Sequence, residues 1–187
     1  MIVRILRRGL WILLVAAGFA ATASRAQIGA ETLEYRVKAA FLCKFASYVE
    51  WPAGAFARPD SPIMIGVVAN DAIVDELTRT AAGLSADGRP LVVRKLNRGD
   101  PVSTVHLIYV ASSEDARLAE TLAAAKGQPA LVVTESTHAV ALGSMINFVV
   151  VDDKVRFDIA PHAAEQSHLK ISARLLSVAR TLIGKAP

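Results

Sequence analysis

The chain contains only one cysteine, Cys43, among its 187 residues. No disulfide can therefore form within the chain, and packing alone must stabilise the folded state. Cys43 lies in an apolar stretch with helical spacing. We expect a buried thiol that serves as a small apolar side chain rather than a reactive group.

The sequence also lacks an apolar run of the length that crosses a bilayer, which takes about 20 residues. The run Leu10–Ala20 is shorter, follows three arginines, and is followed by the small residues Ala21-Thr22-Ala23. This order is typical of a secretory signal peptide. We predict that residues 1–26 are a cleaved signal peptide, cut after Ala23 or Ala26, and that the mature protein is periplasmic. A membrane anchor that stays attached is the competing interpretation.

Without residues 1–26 the chain has no excess of positive charge. The whole chain has 21 Lys and Arg against 17 Asp and Glu. Four of the basic residues fall within 1–26, so removing them leaves 17 basic against 17 acidic residues. A nucleic-acid-binding domain presents a basic face that neutralises phosphates. The composition therefore predicts no nucleic-acid partner.

Signatures of enzymes are missing as well. The sequence has no G-x-S-x-G, G-x-G-x-x-G, Walker or H-E-x-x-H motif. Its histidines are scattered, and His106 falls in a predicted strand as a core or edge residue. His162 and Glu165 lie one helical turn apart, but two ligands are fewer than zinc requires. We predict no enzymatic activity, no cofactor and no metal, with a hydrolase as the least favoured alternative.

What is present is an alternation of helical and strand patterns. A helix is predicted over Glu31–Trp51, and a last helix is predicted to begin at a Ser172 cap and continue to Leu182. Between them we predict strands at Pro62–Val68, Pro90–Leu96, Val105–Val110, Ala130–Thr134, Met145–Val151 and Val155–Ile159, and helices at Asp71–Ala82, at Glu114–Lys126 and after Pro161. The pattern predicts a single α/β domain over 27–187, with three layers and a mixed sheet of about six strands flanked by helices.

Two segments are candidates for a binding site. Glu50 and Trp51 end the first predicted helix; Trp51 packing over the sheet edge beside a solvated Glu50 is the favoured interpretation, and ligand contact is the other. Arg156 and Asp158 share one face of a strand. They can form a salt bridge or a polar floor for a ligand or partner. We expect Asp158→Lys to weaken binding without unfolding the domain.

Two sets of residues resemble a known family. The first set is Val37-Lys38-Ala39-Ala40-Phe41-Leu42, Lys44-Phe45 and Tyr48-Val49-Glu50-Trp51-Pro52. The second is Gly143-Ser144-Met145-Ile146-Asn147-Phe148, Val155-Arg156-Phe157-Asp158-Ile159, Leu169-Lys170-Ile171-Ser172 and Leu175-Leu176. In order and spacing these residues resemble the YfiR-like family of periplasmic proteins, over nearly the whole mature chain.

The resemblance implies a periplasmic protein that binds and represses the periplasmic part of an inner-membrane diguanylate cyclase, lowering cyclic di-GMP and biofilm formation. It also implies a helix-flanked sheet that tends to form a homodimer. The candidate contacts for a partner or ligand are Glu50, Trp51, Asn147, Arg156, Asp158, Lys170 and Arg174.

The chain departs from the family at several of its characteristic positions. Family members often carry disulfide cysteines that respond to redox state; here Val105 precedes His106 where Cys is common. Asp158 stands where Glu is usual, and His168 stands where Gly is usual. The alternative function is a periplasmic sensor module that binds a small molecule, with Glu50, Trp51, Arg156 and Arg174 around it.

Overall fold

The computed structural model describes residues 31–136 and 138–184. The predicted signal peptide lies outside these residues. The described residues from Arg36 onward, which include the sheet, form one compact unit. No helix in the described residues is long and apolar enough to cross a membrane.

Helices and strands alternate along most of the described chain. The helices are α1 (31–46), α2 (Asp71–Ala81), α3 (Leu118–Ala125), α4 (Pro161–Gln166) and α5 (Ala173–Val178), with 3-10 turns at Ser112–Arg117 and Ala139–Leu142. The strands are β1 (Val49–Glu50), β2 (Ile63–Val68), β3 (Ser85–Ala86), β4 (Arg89–Lys95), β5 (Leu107–Val110), β6 (Leu131–Thr134), β7 (Ile146–Val151), β8 (Lys154–Ile159), β9 (Lys170–Ile171) and β10 (Thr181–Leu182).

The main sheet has eight strands in the order β10-β8-β7-β6-β5-β2-β4-β3. Strands β4, β2, β5, β6 and β7 run parallel, whereas β8 and β3 are each antiparallel to a neighbour. Strands β1 and β9 form a separate antiparallel pair. The predicted mixed α/β sheet is confirmed, and its six predicted strands are all present. The four strands that were not predicted, β1, β3, β9 and β10, are each two residues long. They are too short for an alternating hydrophobic pattern to be visible in the sequence.

Helices cover both faces of the sheet. The β2–α2–β4 and β5–α3–β6 connections run in opposite directions along the sheet, and right-handed crossovers then place α2 and α3 on opposite faces. On one face, Phe41 and Phe45 of α1 pack against Phe148 and Phe157, with ring centroids 5.0–6.1 Å apart. Three layers result, as predicted.

The predicted Ser172 cap and the predicted burial of Cys43 are confirmed, and local residues also explain a second helix cap and a hairpin turn. Asn70 Oδ1 accepts the Ile73 amide at the start of α2, and Ser172 Oγ accepts the Leu175 amide at the start of α5. The β7–β8 hairpin turns through Asp152 and Asp153, both with positive φ, which is the mirror-image turn that suits the twist of a hairpin. Cys43 is buried, and burial raises the pKa of its thiol to about 11.

Three predicted helix boundaries are wrong. Helix α1 ends at 46 rather than Trp51, because Val49 and Glu50 pair with β9. The last helix ends at Val178, since Thr181 and Leu182 pair with β8. The helix predicted from Glu114 begins as a 3-10 turn and becomes α-helical only at Leu118. In each case a tertiary contact or local turn replaces the continued helix that the apolar spacing favours.

Candidate functional site

A cavity of about 630 Å³ is lined by the loop between β1 and β2 and by Ile63 and Arg89. We call it the Trp51 pocket. Its volume falls within the range of small-molecule sites, roughly 300–1,000 Å³. Trp51 and Phe56 supply its aromatic surface, with ring centroids 6.1 Å apart. The pocket therefore has the size of a small-molecule site, and aromatic and charged side chains line it together.

Phe56 and Arg89 of the pocket lining form a stack with His106, which comes from a third part of the chain. The His106 ring stacks on Phe56 with centroids 4.4 Å apart, and the Arg89 guanidinium carbon lies 3.8 Å from the Phe56 centroid. Arg89 Nη1 also donates to the carbonyls of Arg58 and Ser61, at 3.1 and 2.8 Å. Arg89 thus holds the β1–β2 loop against β4 through a cation–π contact and two hydrogen bonds.

His106 is held in one tautomer by its two ring nitrogens. Nδ1 accepts the Met64 amide at 3.0 Å, and Nε2 donates to the Ala55 carbonyl at 3.1 Å. Burial lowers the pKa of His106 from its usual 6.5; the hydrogen bond to Ala55 opposes this shift, and the charge of Arg89 adds to it. The imidazole is therefore neutral at pH 7, with its proton on Nε2. As expected from the sequence, His106 is a satisfied histidine at the edge of the core.

Glu50, Trp51 and Lys170 lie together beside this pocket. Glu50 and Lys170 are register partners of the β1–β9 pair, and their exposed side chains approach to 3.8 Å. An exposed pair of this kind contributes at most about 1 kcal/mol. Trp51 Nε1 donates to the His106 carbonyl at 3.3 Å. Trp51 therefore packs at the sheet edge beside a solvated Glu50, which was the favoured interpretation, and both residues also line the cavity.

Asn147 and Asp158 are buried rather than available to a partner. Thr134 Oγ1 donates to Asn147 Oδ1 at 2.7 Å and also lies 2.7 Å from Ser144 Oγ. Asp158 is 6% exposed and forms a two-point ion pair with Arg180. The ion-pair partner of Asp158 is therefore Arg180 and not Arg156, which the strand pattern had suggested. This arrangement corrects the expectation that Asp158 can become Lys without unfolding the domain.

Arg156 lies instead on a projecting hairpin. Strand β6 pairs with β7 only at Ile146 and Asn147, and β10 pairs with β8 only at Asp158 and Ile159. Residues 149–156, which we call the β7–β8 arm, therefore have no strand on either side within the described chain. Val150 and Val151 on the arm are 55% and 38% exposed, and Arg156 is exposed. Arg174 is exposed on α5 and, like Arg156, does not line the Trp51 pocket.

One buried cluster has no counterpart among the sequence-based candidates. Lys38 Nζ lies 2.7 Å from Glu135 Oε1, and both side chains are less than a tenth exposed. Tyr109 donates its hydroxyl proton to the same oxygen, and Ser112 donates its amide and hydroxyl protons to Oε2. The available signal was Lys38 itself, a charged residue beside the buried Ala39 in an amphipathic helix. Its partner Glu135 follows β6, and nothing in the sequence indicates that the two side chains meet.

The described residues contain no group of three His, Cys, Asp or Glu side chains that could hold a metal ion.

A family model described as YfiR/HmsC-like matches residues 35–180, well over half of the chain. The chain belongs to the YfiR/HmsC-like family. The family predicted from the two motif sets is confirmed, and it implies a periplasmic regulator of diguanylate cyclase signalling. Among curated proteins, no sequence matches this chain.

Proposed function

We propose that this YfiR/HmsC-like protein binds the periplasmic part of an inner-membrane diguanylate cyclase and represses it, without catalysing a reaction. Family membership supports the signalling pathway. The β7–β8 arm is the observation that supports binding through a protein surface. We infer that the partner is a strand of the cyclase's periplasmic part.

The arm has the chemistry of a strand-addition site. In a two-residue hairpin, Val151 and Lys154 are hydrogen-bonded to each other, so the backbone groups of Val150 point away from β8. That edge has no neighbour in the described chain beyond Asn147. An unpaired edge that carries exposed valines can accept a strand from a partner. Arg156 adds a cation on the arm that can orient an acidic partner.

Repression follows from differential binding. The regulator needs to bind the inactive state of the cyclase more tightly than the active state. Moving an equilibrium from 1:99 to 99:1 takes a preference of about 10⁴-fold, or about 5.5 kcal/mol. A signal that removes the regulator then restores the active state. The homodimer and the lowering of biofilm formation that the resemblance implies remain parts of this proposal.

Val150→Lys is expected to weaken cyclase binding at least tenfold, about 1.4 kcal/mol, because a charge replaces a central apolar contact. First, the tagged chain is crosslinked in the periplasm of its host, and the captured membrane protein is identified by its cyclase output domain. The dissociation constant of the variant for the periplasmic part of that cyclase is then measured, together with cellular cyclic di-GMP, which should rise.

Val92→Lys is the matched control, since Val92 is 39% exposed on β4, which three strands separate from β7 in the main sheet. Both substitutions on the surface should change the free energy of unfolding by no more than about 0.5 kcal/mol. Equal affinities for the two folded variants would rule out the arm as the contact. Capture of no cyclase by a folded, abundant bait would count against the proposal as a whole.

The Trp51 pocket favours a second function, binding of a small molecule. Of the four residues assigned to such a site from the sequence, Glu50 and Trp51 line the pocket. A ligand at about 100 times its dissociation constant should raise the free energy of unfolding by roughly 2.7 kcal/mol. Thermal unfolding is measured against fractionated extracts of the host periplasm. Trp51→Phe, which keeps an aromatic ring but loses the indole, should reduce the stabilisation, whereas Val150→Lys should preserve it.

A further inference from the structure

The loop between β1 and β2 is attached to the sheet mainly through one imidazole and one guanidinium. His106 contributes a hydrogen bond to Ala55, a stacking contact with Phe56 and a backbone acceptor for Trp51. Arg89 contributes the two hydrogen bonds to Arg58 and Ser61. Much of the Trp51 pocket is formed by this loop, so its shape depends on the position of the His106 ring.

The position of that ring depends on its protonation state. The Met64 amide belongs to β2 and points at Nδ1, and the Met64 carbonyl is itself bonded to the His106 amide at 2.9 Å. The backbone of both strands is therefore fixed around the ring. A proton on Nδ1 would face the Met64 amide proton at hydrogen-bond distance, and a donor cannot accept. Protonation removes the Met64 bond and forces the ring to move.

We propose that protonation of His106 releases Ala55 and Phe56 from the sheet and opens the Trp51 pocket. A ring that moves away from the Met64 amide also loses its stacking contact with Phe56 and its hydrogen bond to the Ala55 carbonyl. The loop then keeps its contacts with Arg89 and the Trp51 hydrogen bond to the His106 carbonyl. The protein would thereby respond to acid at its ligand pocket, a property that requires neither the cyclase nor a ligand to be present.

Burial, and after it the charge of Arg89, places the response of His106 below pH 6.5. Arg89 of β4 and Arg58 of the loop are the cations near it, and Glu50 of β1 and Asp87 of the β3–β4 turn are the acids that line the pocket. Lys170 of β9 is paired with Glu50. Burial and the charge of Arg89 lower the pKa of His106 below 6.5. The stability that the neutral ring contributes is thus fully present above about pH 6.5 and declines as the pH falls towards the lowered pKa.

Trp51 fluorescence tests the proposal directly. The chain has two tryptophans, Trp11 and Trp51. The full chain is expressed with Trp11→Phe, so that Trp51 is the only tryptophan whether or not residues 1–26 are retained. Emission and acrylamide quenching are followed from pH 7.5 to 4.5, with circular dichroism as the measure of folding. We expect a reversible red shift and increased quenching with a midpoint below pH 6.5.

His106→Gln is expected to abolish this transition, because its amide can still donate to Ala55 but has no titrating proton. His138→Gln, at an exposed histidine, should leave the transition unchanged. The same transition in folded His106→Gln overturns the proposal, since Glu50 or Asp87 would then cause it. Constant Trp51 emission in the folded parent chain overturns it too.

A second measurement serves if His106→Gln does not fold. The proposal requires the Met64 amide resonance of the parent chain to titrate with the same midpoint as Trp51 emission. A Met64 resonance that does not titrate in this range overturns the proposal.

Discussion

Lys38→Met is expected to lower the free energy of unfolding by about 3 kcal/mol, because it leaves the buried Glu135 carboxylate without its cation. Lys38 and Glu135 are 5% and 9% exposed in their side chains, so solvent cannot replace the lost partner. Tyr109 and Ser112 still donate hydrogen bonds to Glu135. We therefore expect the low end of the usual 3–5 kcal/mol range. Urea unfolding followed by circular dichroism measures the loss.

Lys44→Met provides the control, since Lys44 is exposed on the same helix and undergoes the same chemical change. It should alter the free energy of unfolding by at most about 0.5 kcal/mol. The double variant Lys38→Met with Glu135→Gln should recover part of the loss, because the isolated buried charge is gone. Equal stabilities for Lys38→Met and Lys44→Met would contradict the ion pair as a source of stability.

Asp158→Lys is expected to cause a larger loss than Lys38→Met, to the point that little folded protein is recovered. Asp158 is 6% exposed, and its carboxylate is bound by both the Nε and Nη2 of Arg180. The substitution replaces the partner of that cation with a second cation in a buried position. Soluble yield and thermal unfolding by circular dichroism measure the effect.

Arg156→Glu is the comparison on the same strand, two residues away but exposed. It also reverses a charge, and it should leave the fold intact. Asp158→Lys combined with Arg180→Glu should restore some folded protein, since opposite charges again face each other. A folded Asp158→Lys of normal stability that has lost cyclase binding would instead establish Asp158 as a contact residue.

The strand pattern placed Asp158 and Arg156 on one face, but it could not show how deeply each is buried. Both residues lie on β8, and only the register with β10 brings Arg180 beside Asp158. Arg156 is left uncovered because β10 pairs with β8 only at Asp158 and Ile159, and β6 pairs with β7 only as far as Asn147. Burial of a strand face depends on neighbouring strands, which the local sequence does not specify.

The residues of the Trp51 pocket could likewise be predicted only in part from the local sequence. Glu50 and Trp51 were identified from the motif, and His106 was expected to be a satisfied edge histidine. Phe56 and Arg89 were not identified, because they come from separate segments that meet through a single stack. Short contacts between residues far apart in the chain leave no period or spacing in the sequence.

By itself, the sequence determined the α/β class, the six principal strands, the helix cap at Ser172 and the family of the protein. These features depend on local periodicity, on side-chain to backbone hydrogen bonds a few residues apart, or on motifs read in order. Only the tertiary structure decided which candidates are buried and which are exposed. It paired Asp158 with Arg180 and Lys38 with Glu135, and it left Val150 and Arg156 on a projecting arm. Desolvation and ion pairing act between segments that are distant in the chain, and so they appear only after the sheet has assembled.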